Sequence, residues 1–289
     1  MRDFTYHHPT SLGEAHRLAV EPGAMLLAGG QTLLRDMKRG LHSPASLVDV
    51  SGILSTQIES RDGAISIGAG ATHAAVARSA VLRQHLTVLA DLANHIGDPA
   101  VRNRGTLGGA LAANEPAGDY PAACLALGAV VHTTRRNVAA TEFFVGDHQP
   151  VLEPGEIVTA ATFPVPRRAA YVKFLNPAAR YAMVGVFVAL GADGSPRVAV
   201  TGAHRGGAFR WREAESALTA AFTSERLGDV RLSLEGLVED LFADAEYRAH
   251  LAGVLARRAV AFANGPGSSV MVVSHGSRVE QAIRHHTKE

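Results

Sequence analysis

Residues 96–121 read IGDPAVRNRGTLGGALAANEPAGDYP, and this stretch decides the fold. Glycines and prolines recur so often in it that neither a plain helix nor a central strand is expected. The segment is nevertheless apolar between its charges, which predicts a loop packed against the rest of the protein. Residues 106–110 can turn tightly and bring backbone N–H groups close to a ligand, because glycine has no Cβ. Such groups suit a phosphate. In the competing interpretation the glycine pair serves packing alone.

A second stretch of the same kind, residues 26–34, reads LLAGGQTLL. The apolar run at 24–28 predicts a short buried strand, which ends at two glycines and a polar pair before a helix beginning at Leu33. Strand, glycine pair and helix form a layout that cradles phosphate. Neither the GxGxxG nor the GxxxxGK[ST] pattern occurs. Two glycine loops predict a ligand with two phosphates, held from both sides.

Three motifs in this order closely resemble the FAD-binding medium subunit of molybdenum hydroxylases: AGGQT at 28–32, GDPAVRNRGTLGGALAAN at 97–114 and PAGDYPA at 116–122. Carbon monoxide, nicotine and aldehyde dehydrogenases of that type are examples, and the FAD domain of xanthine dehydrogenase is more distant. The resemblance covers residues 1–264. It implies an α+β fold, with a two-subdomain FAD-binding domain of the vanillyl-alcohol-oxidase and molybdenum-hydroxylase type and a C-terminal α+β domain.

Three regions are expected along the chain. Residues 1–166 form the FAD-binding domain, with subdomains at about 1–55 and 56–166. Residues 167–264 show strands followed by helices, which predicts an α+β domain, and the resemblance implies that it closes over the flavin. Residues 265–289 match nothing and are expected to be a mobile tail or to pack on a partner.

Local signals predict several elements. Ser11 to Glu14 fits a capping box that opens a helix to about Val20. Helices are expected at 72–82, 84–95, 212–222 and 247–264, and a strand at 182–190 is expected to turn back at Asp193-Gly194.

Composition narrows the function classes. Of 289 residues 47% are hydrophobic, and the net charge of +1 argues against a nucleic-acid surface. The single cysteine, Cys124, cannot by itself hold an iron–sulfur cluster, which takes about four ligands. No apolar signal region and no run of about 18 apolar residues occurs, so we expect a soluble, cytoplasmic protein without a membrane span.

The sequence predicts no metal site and no catalytic side chain. The histidines lack HExxH or Cys/His spacing, and no GxSxG elbow is present. A redox cofactor that carries the chemistry is the simpler account.

The resemblance implies a set of FAD contacts. The pyrophosphate is wrapped on one side by Leu27, Ala28, Gly29, Gly30, Gln31 and Thr32. The pyrophosphate or the ribityl chain is contacted on the other side by Thr106, Gly108, Gly109 and Ala113. The family often has asparagine where this chain has Ala110, which leaves only a backbone contribution. Ile157 or Val158 is expected at the adenine through its backbone.

Four residues are expected near the flavin ring and its hydroxyls. Ile96 precedes the central stretch. Asp119 resembles an aspartate that binds FAD hydroxyls, although a helix N-cap is the alternative. Lys173 is a candidate partner for a flavin carbonyl or phosphate, although an edge-strand lysine in solvent is the alternative. Tyr181 is expected to cover one ring face, although core packing is the alternative.

The implied function is electron transfer. A large molybdopterin subunit oxidises the substrate, a small [2Fe–2S] subunit relays electrons, and FAD on this chain passes them to a quinone, NAD or oxygen. The docking face is expected to include Asp98, Arg102 and Arg104, unless these form a solvated turn. The alternatives are a free-standing FAD-dependent oxidoreductase and, least favoured, a structural protein that has lost its FAD.

Overall fold

The computed structural model describes residues 3–146, 149–265 and 270–274. Its strands are β1 (Thr5–His7), β2 (Ala24–Leu27), β3 (Ser46–Asp49), β4 (Ile58–Arg61), β5 (Ala64–Gly68), β6 (Val130–Thr133), β7 (Asn137–Ala139), β8 (Phe144–Gly146), β9 (Gln149–Pro150), β10 (Val158–Pro164), β11 (Arg168–Leu175), β12 (Ala182–Leu190), β13 (Pro196–Thr201), β14 (Phe209–Arg210) and β15 (Val270–Val273). Its helices are α1 (Leu12–Ala19), α2 (Leu33–Lys38), α3 (His73–Arg78), α4 (Ala80–His85), α5 (Thr87–Asn94), α6 (Pro99–Arg104), α7 (Leu107–Ala113), α8 (Asp119–Leu127), α9 (Ala140–Phe143), α10 (Arg212–Leu218) and α11 (Ala245–Asn264), with a 3₁₀ turn at Ser224–Leu227.

The first sheet is small and parallel. Its strands lie in the order β1-β3-β2, joined through α1 and α2. The predicted cap at Ser11 is confirmed, because Ser11 accepts a hydrogen bond from the Glu14 N–H, whereas Glu14 accepts from the Thr10 N–H instead of closing the box on Ser11. β2 ends at the first glycine loop, so this sheet positions the loop at the carboxyl end of a strand.

The second sheet is antiparallel, in the order β4-β5-β10-β6-β7. Helices α3 to α8 connect β5 to β6, and the buried residues of α5 and α8 pack into the same core as the inward residues of β5 and β10. The third sheet has the order β14-β13-β12-β11-β15, and α11 packs across β11 and β12. The hairpin at Asp193-Gly194 is confirmed, with Gly194 at φ +80°.

The structure corrects the expectation for the central stretch. Residues 99–104 and 107–113 are helical rather than a loop. The prolines and glycines are tolerated because Pro99 starts α6 after the Asp98 cap, and because two glycines lie in the first turn of α7 after the Thr106 cap. A break at Ser79, which caps α4 through the Leu82 N–H, also gives three short helices over 73–94 where two were predicted.

Part of the expected tail is a strand. Residues 270–273 form β15, which pairs in parallel with β11 at Tyr171 to Phe174. The rest of the segment from 266 to 269 and from 275 onward lies outside the described residues. Over the described ranges, no helix is both long and apolar enough to cross a bilayer.

Candidate functional site

A cavity of about 540 Å³ lies between the two glycine loops. This volume is in the range of small-molecule and cofactor sites. Both predicted loops line it, and the predicted site residues that border it are Leu27, Ala28, Gly29, Gly30, Gln31, Thr32, Thr106, Gly108, Gly109, Ala110, Ala113, Ile157 and Val158. The structure brings these residues together around one space; their contact with FAD stays a prediction.

The two loops approach each other at backbone distance. A Cβ added to Gly29 would lie 2.1 Å from the Arg104 carbonyl oxygen and 2.9 Å from Gly105 Cα. Gly30 has φ +73°, a conformation that favours glycine. No larger side chain is accommodated where the first loop meets the segment before α7.

The first loop offers backbone donors. In the described part of the chain, no group accepts a hydrogen bond from the N–H groups of residues 29–32. Four successive free N–H groups at the end of a strand and the start of a helix form a site that suits an anion.

The second loop differs from expectation, since its N–H groups are already paired. The Leu107 N–H donates to the Ala71 oxygen and the Gly108 N–H to the Ala69 oxygen, both at 2.9 Å. The Gly109 N–H donates to Thr106 Oγ1 at 3.1 Å. These bonds fix α7 as a rigid wall of the cavity, so the expectation of free backbone donors on this loop is wrong.

The two glycines of α7 have different neighbours and therefore different roles. A Cβ on Gly108 would lie 2.5 Å from Ala69 Cβ, so Gly108 serves close packing, as the competing interpretation proposed. A Cβ on Gly109 would lie 2.9 Å from Thr106 Oγ1 and 3.9 Å from Ala28 Cβ, so Gly109 faces the first loop. Ala110 follows on the same wall and is half-buried.

Glu156, which the sequence reading missed, fixes another wall of the cavity next to Ile157 and Val158. It is 2% exposed and accepts hydrogen bonds from Arg136 Nε at 3.1 Å, the Glu153 N–H at 2.9 Å and Thr133 Oγ1 at 2.7 Å. Burial on its own would raise the pKa of this carboxyl, but the hydrogen bonds outweigh burial and lower the pKa to about 2.

Asp119 and Lys173 form a buried ion pair away from the cavity lining. Lys173 Nζ lies 2.8 Å from Asp119 Oδ2, and the Tyr171 hydroxyl donates to Asp119 Oδ1. The N-cap of α8 is Gly118, and Lys173 is 1% exposed on a strand with neighbours on both sides. The alternatives of a helix cap and of an edge lysine in solvent are therefore wrong. Burial, then the charge of Asp119, raise the pKa of Tyr171, which the sequence reading missed.

Tyr181 and Ile96 also lie outside the cavity lining. Tyr181 is 38% exposed, which excludes core packing, and its hydroxyl oxygen accepts a hydrogen bond from Arg35 Nη1 at 3.2 Å. This bond links α2, just after the first glycine loop, to the loop between β11 and β12. Ile96 packs against the core, and its carbonyl accepts from Arg102 Nη1 at 3.2 Å.

The expected docking residues take up local structural roles. Asp98 caps α6 by accepting from the Val101 N–H at 2.9 Å. Arg102 also donates to the Gly97 oxygen at 2.9 Å. Arg104 is exposed, and its carbonyl lies against Gly29. Docking by these residues stays a prediction.

FAD fits these residues by their chemistry. The free N–H groups of the first loop match a diphosphate, and the apolar lining of Met25, Leu26 and Leu54 matches a flat aromatic ring. The cavity also takes in His73, for which no sequence motif gave a signal. Within the described ranges, no group of three His, Cys, Asp or Glu side chains is placed to hold a metal ion.

Comparison with known proteins gives consistent relatives. Residues 2–166 match the family described as the FAD binding domain in molybdopterin dehydrogenase. The carbon monoxide dehydrogenase medium chain of Hydrogenophaga pseudoflava is 33% identical over 274 residues, which cover 89% of this chain and 96% of that one. The nicotine 6-hydroxylase medium subunit of Paenarthrobacter nicotinovorans is 32% identical over 270 residues, covering 88% and 95%.

A solved structure shows the same similarity in three dimensions. A chain in the crystal structure of the cyanide-inactivated Cu,Mo-CO dehydrogenase superposes with a TM-score of 0.82 at 31% identity. The match covers 90% of this chain and 97% of that chain.

Proposed function

The chain belongs to the family of FAD-binding domains of molybdopterin dehydrogenases, and we propose that its FAD passes electrons from iron–sulfur clusters on a partner subunit to an acceptor. Its cofactor is FAD, and it is an oxidoreductase subunit of the molybdenum hydroxylase type. The observation that carries the proposal is the cavity between two touching glycine loops, one of which presents free N–H groups.

In this proposal each wall of the cavity contacts a different part of FAD. The N–H groups of residues 29–32 hold the pyrophosphate, and α7 forms the opposite wall without donating from residues 107–109. Ile157 and Val158 flank the adenine, and Glu156 keeps them in place through the hydrogen bonds that its carboxylate accepts. When bound, FAD supplies an exchange of two electrons.

The flavin end is assigned to residues outside the cavity lining. Asp119 and Lys173 face the ring or its hydroxyls, where the lysine charge stabilises negative charge on the reduced ring. Tyr181 covers one face after its bond to Arg35 opens, and Ile96 lies nearby. Residues 1–166 act as the FAD-binding domain, and residues 167–264 act as the domain that closes on the flavin.

The proposed partners follow from the need for an iron–sulfur cluster that supplies electrons to FAD. Its single cysteine, Cys124, is buried, so an iron–sulfur cluster has to sit on another chain. The relatives named as a medium chain and a medium subunit indicate an assembly of several subunits. The partners proposed are a [2Fe–2S] small subunit and a molybdopterin large subunit, with a quinone, NAD or oxygen as the final acceptor. A cytoplasmic location is part of the proposal, and cell fractionation tests it.

Co-expression with the products of the neighbouring genes tests the function. We expect size-exclusion chromatography to show one complex of three chains in which flavin absorbance is bleached by the substrate of the molybdenum subunit. A chain that stays alone, yet oxidises a small molecule at its own flavin, would instead establish the free-standing oxidoreductase.

A further inference from the structure

His73 is a buried histidine that makes no side-chain hydrogen bond in the described structure. It is 5% exposed, lines the cavity, and its Nδ1 is fully buried without a partner. No bond to Nε2 occurs either among the described residues. Buried polar atoms are nearly always paired, so an unpaired ring bordering a cofactor cavity points to a ligand.

Nε2 lies where the two glycine loops meet. A Cβ on Gly105 would lie 2.6 Å from His73 Nε2, and a Cβ on Gly29 would lie 2.9 Å from Gly105 Cα. Gly105 therefore contacts both the imidazole and the first loop. The His73 backbone is held in this position because its N–H donates to the Gly105 oxygen at 2.9 Å.

The surroundings of the ring keep it neutral and leave Nε2 as the nitrogen nearest the loops. The His73 ring packs on Tyr120 with a centroid distance of 5.4 Å, and the Tyr120 hydroxyl is also buried without a partner. Nδ1 is fully buried, whereas Nε2 lies against Gly105 at the junction of the two loops, so Nε2 is the ring nitrogen placed to meet a ligand. Burial, then the charge of Arg102, lower the pKa of His73 to about 4, so the ring is neutral at pH 7 and has one N–H.

We propose that His73 donates a hydrogen bond from Nε2 to the pyrophosphate of FAD at the junction of the two glycine loops. This inference rests on the proposed position of FAD in the cavity. It assigns to α3 a direct role in holding the cofactor, beside the backbone donors of residues 29–32.

Titration of the full-length apoprotein with FAD tests the inference. Removal of one hydrogen bond predicts that His73→Leu raises the Kd for FAD roughly tenfold. His73→Gln, whose amide keeps a donor, is expected to recover most of the affinity. His85→Leu, at an exposed position of α4, is the matched control and is expected to bind as the wild type does.

Two competitors separate a phosphate contact from a general structural role. ADP carries a diphosphate and adenosine does not. His73→Leu should therefore weaken the binding of ADP, measured by competition with FAD, by the same factor as the binding of FAD. The binding of adenosine should be unchanged. Equal loss for both ligands would overturn the proposal.

A measurement on the unaltered protein covers the case in which the variants do not fold. The ¹⁵N and ¹H signals of the His73 ring, assigned through bonds from its own backbone, are expected to shift on addition of ADP. Unchanged signals with bound ADP would overturn the assignment of His73 alone. Failure of the wild type to bind either FAD or ADP would instead contradict the proposed function of the cavity.

Discussion

The ammonium group of Lys173 lies 2.8 Å from the carboxylate of Asp119, and this ion pair joins α8 of the FAD-binding region to β11 of the third sheet. Lys173 is 1% exposed and Asp119 is 7% exposed. A buried charge has a large desolvation cost unless it is paired, so each residue depends on the other. Because the pair connects the two regions across 54 positions of sequence, it couples the packing of the cofactor region to the C-terminal sheet.

Asp119→Ala is expected to destabilise the protein by about 3–5 kcal/mol, because it leaves the Lys173 charge buried without a partner. Urea unfolding followed by circular dichroism measures the loss. The double variant with Lys173→Met is expected to be more stable than Asp119→Ala alone. If the two single effects simply add, the pair is not coupled and this account of it is wrong.

Gly29→Ala is expected to lower the affinity for FAD strongly. Its Cβ would meet a backbone oxygen, at Arg104, that cannot rotate away, so the first loop has to move from the opposite wall. Fluorescence titration with FAD measures the effect. Gly13→Ala is the control, because its Cβ meets nothing within 4 Å and alanine is the better helix former. If Gly29→Ala bound FAD as tightly as the wild type, the close contact between Gly29 and Arg104 would not be needed for FAD binding.

The sequence predicts elements whose signals are local. The cap at Ser11 and the turn at Gly194 depend on neighbouring residues, and both are present. The motif order also placed both glycine loops on the same cavity, since the fold it resembles brings them together.

The features that the sequence did not predict depend on contacts between residues far apart in the chain. α7 tolerates Gly108 because it packs on Ala69, and the Gly108 N–H, which was expected to be free, donates to the Ala69 oxygen. β15 is a strand because β11 offers an edge to it. His73 and Glu156 have no motif, and only the assembled cavity shows their positions.

Glu156 predicts a loss of stability in acid. Its pKa is lowered to about 2 in the folded protein from 4.5, so the folded state binds the proton less readily than the unfolded chain does. The stability that ionised Glu156 contributes to the folded state is therefore complete above about pH 5 and is lost as the pH falls from about 4.5 to about 2. The expected loss is on the order of 2 kcal/mol.

Thermal unfolding between pH 2 and pH 6 measures this dependence. Glu156→Gln is expected to be less stable at pH 6 and to show a flatter pH profile than the wild type. Glu142→Gln, at an exposed position of α9, is the control and is expected to keep the wild-type profile. A profile of Glu156→Gln as steep as that of the wild type would assign the acid sensitivity to other carboxylates.

The neighbouring glycines of α7 are expected to respond differently to substitution. Gly108→Ala places a Cβ 2.5 Å from Ala69 Cβ and 3.0 Å from the Ala69 oxygen, so it forces the helix off its neighbour. Such overpacking destabilises a protein by about 1–3 kcal/mol. Gly109→Val instead meets the Thr106 hydroxyl, whose rotation costs about 1 kcal/mol of capping, and its methyl groups enter the space facing Ala28.

We therefore expect Gly109→Val to stay folded and to lose FAD, and Gly108→Ala to lose stability first. Circular dichroism during urea unfolding reports stability, and flavin absorbance after gel filtration reports the bound cofactor. Gly109→Val with normal flavin content would exclude this face of α7 from the cofactor site. Equal destabilisation by both substitutions would show that the two glycines serve packing alone, since a Cβ at either position would then disturb the helix in the same way.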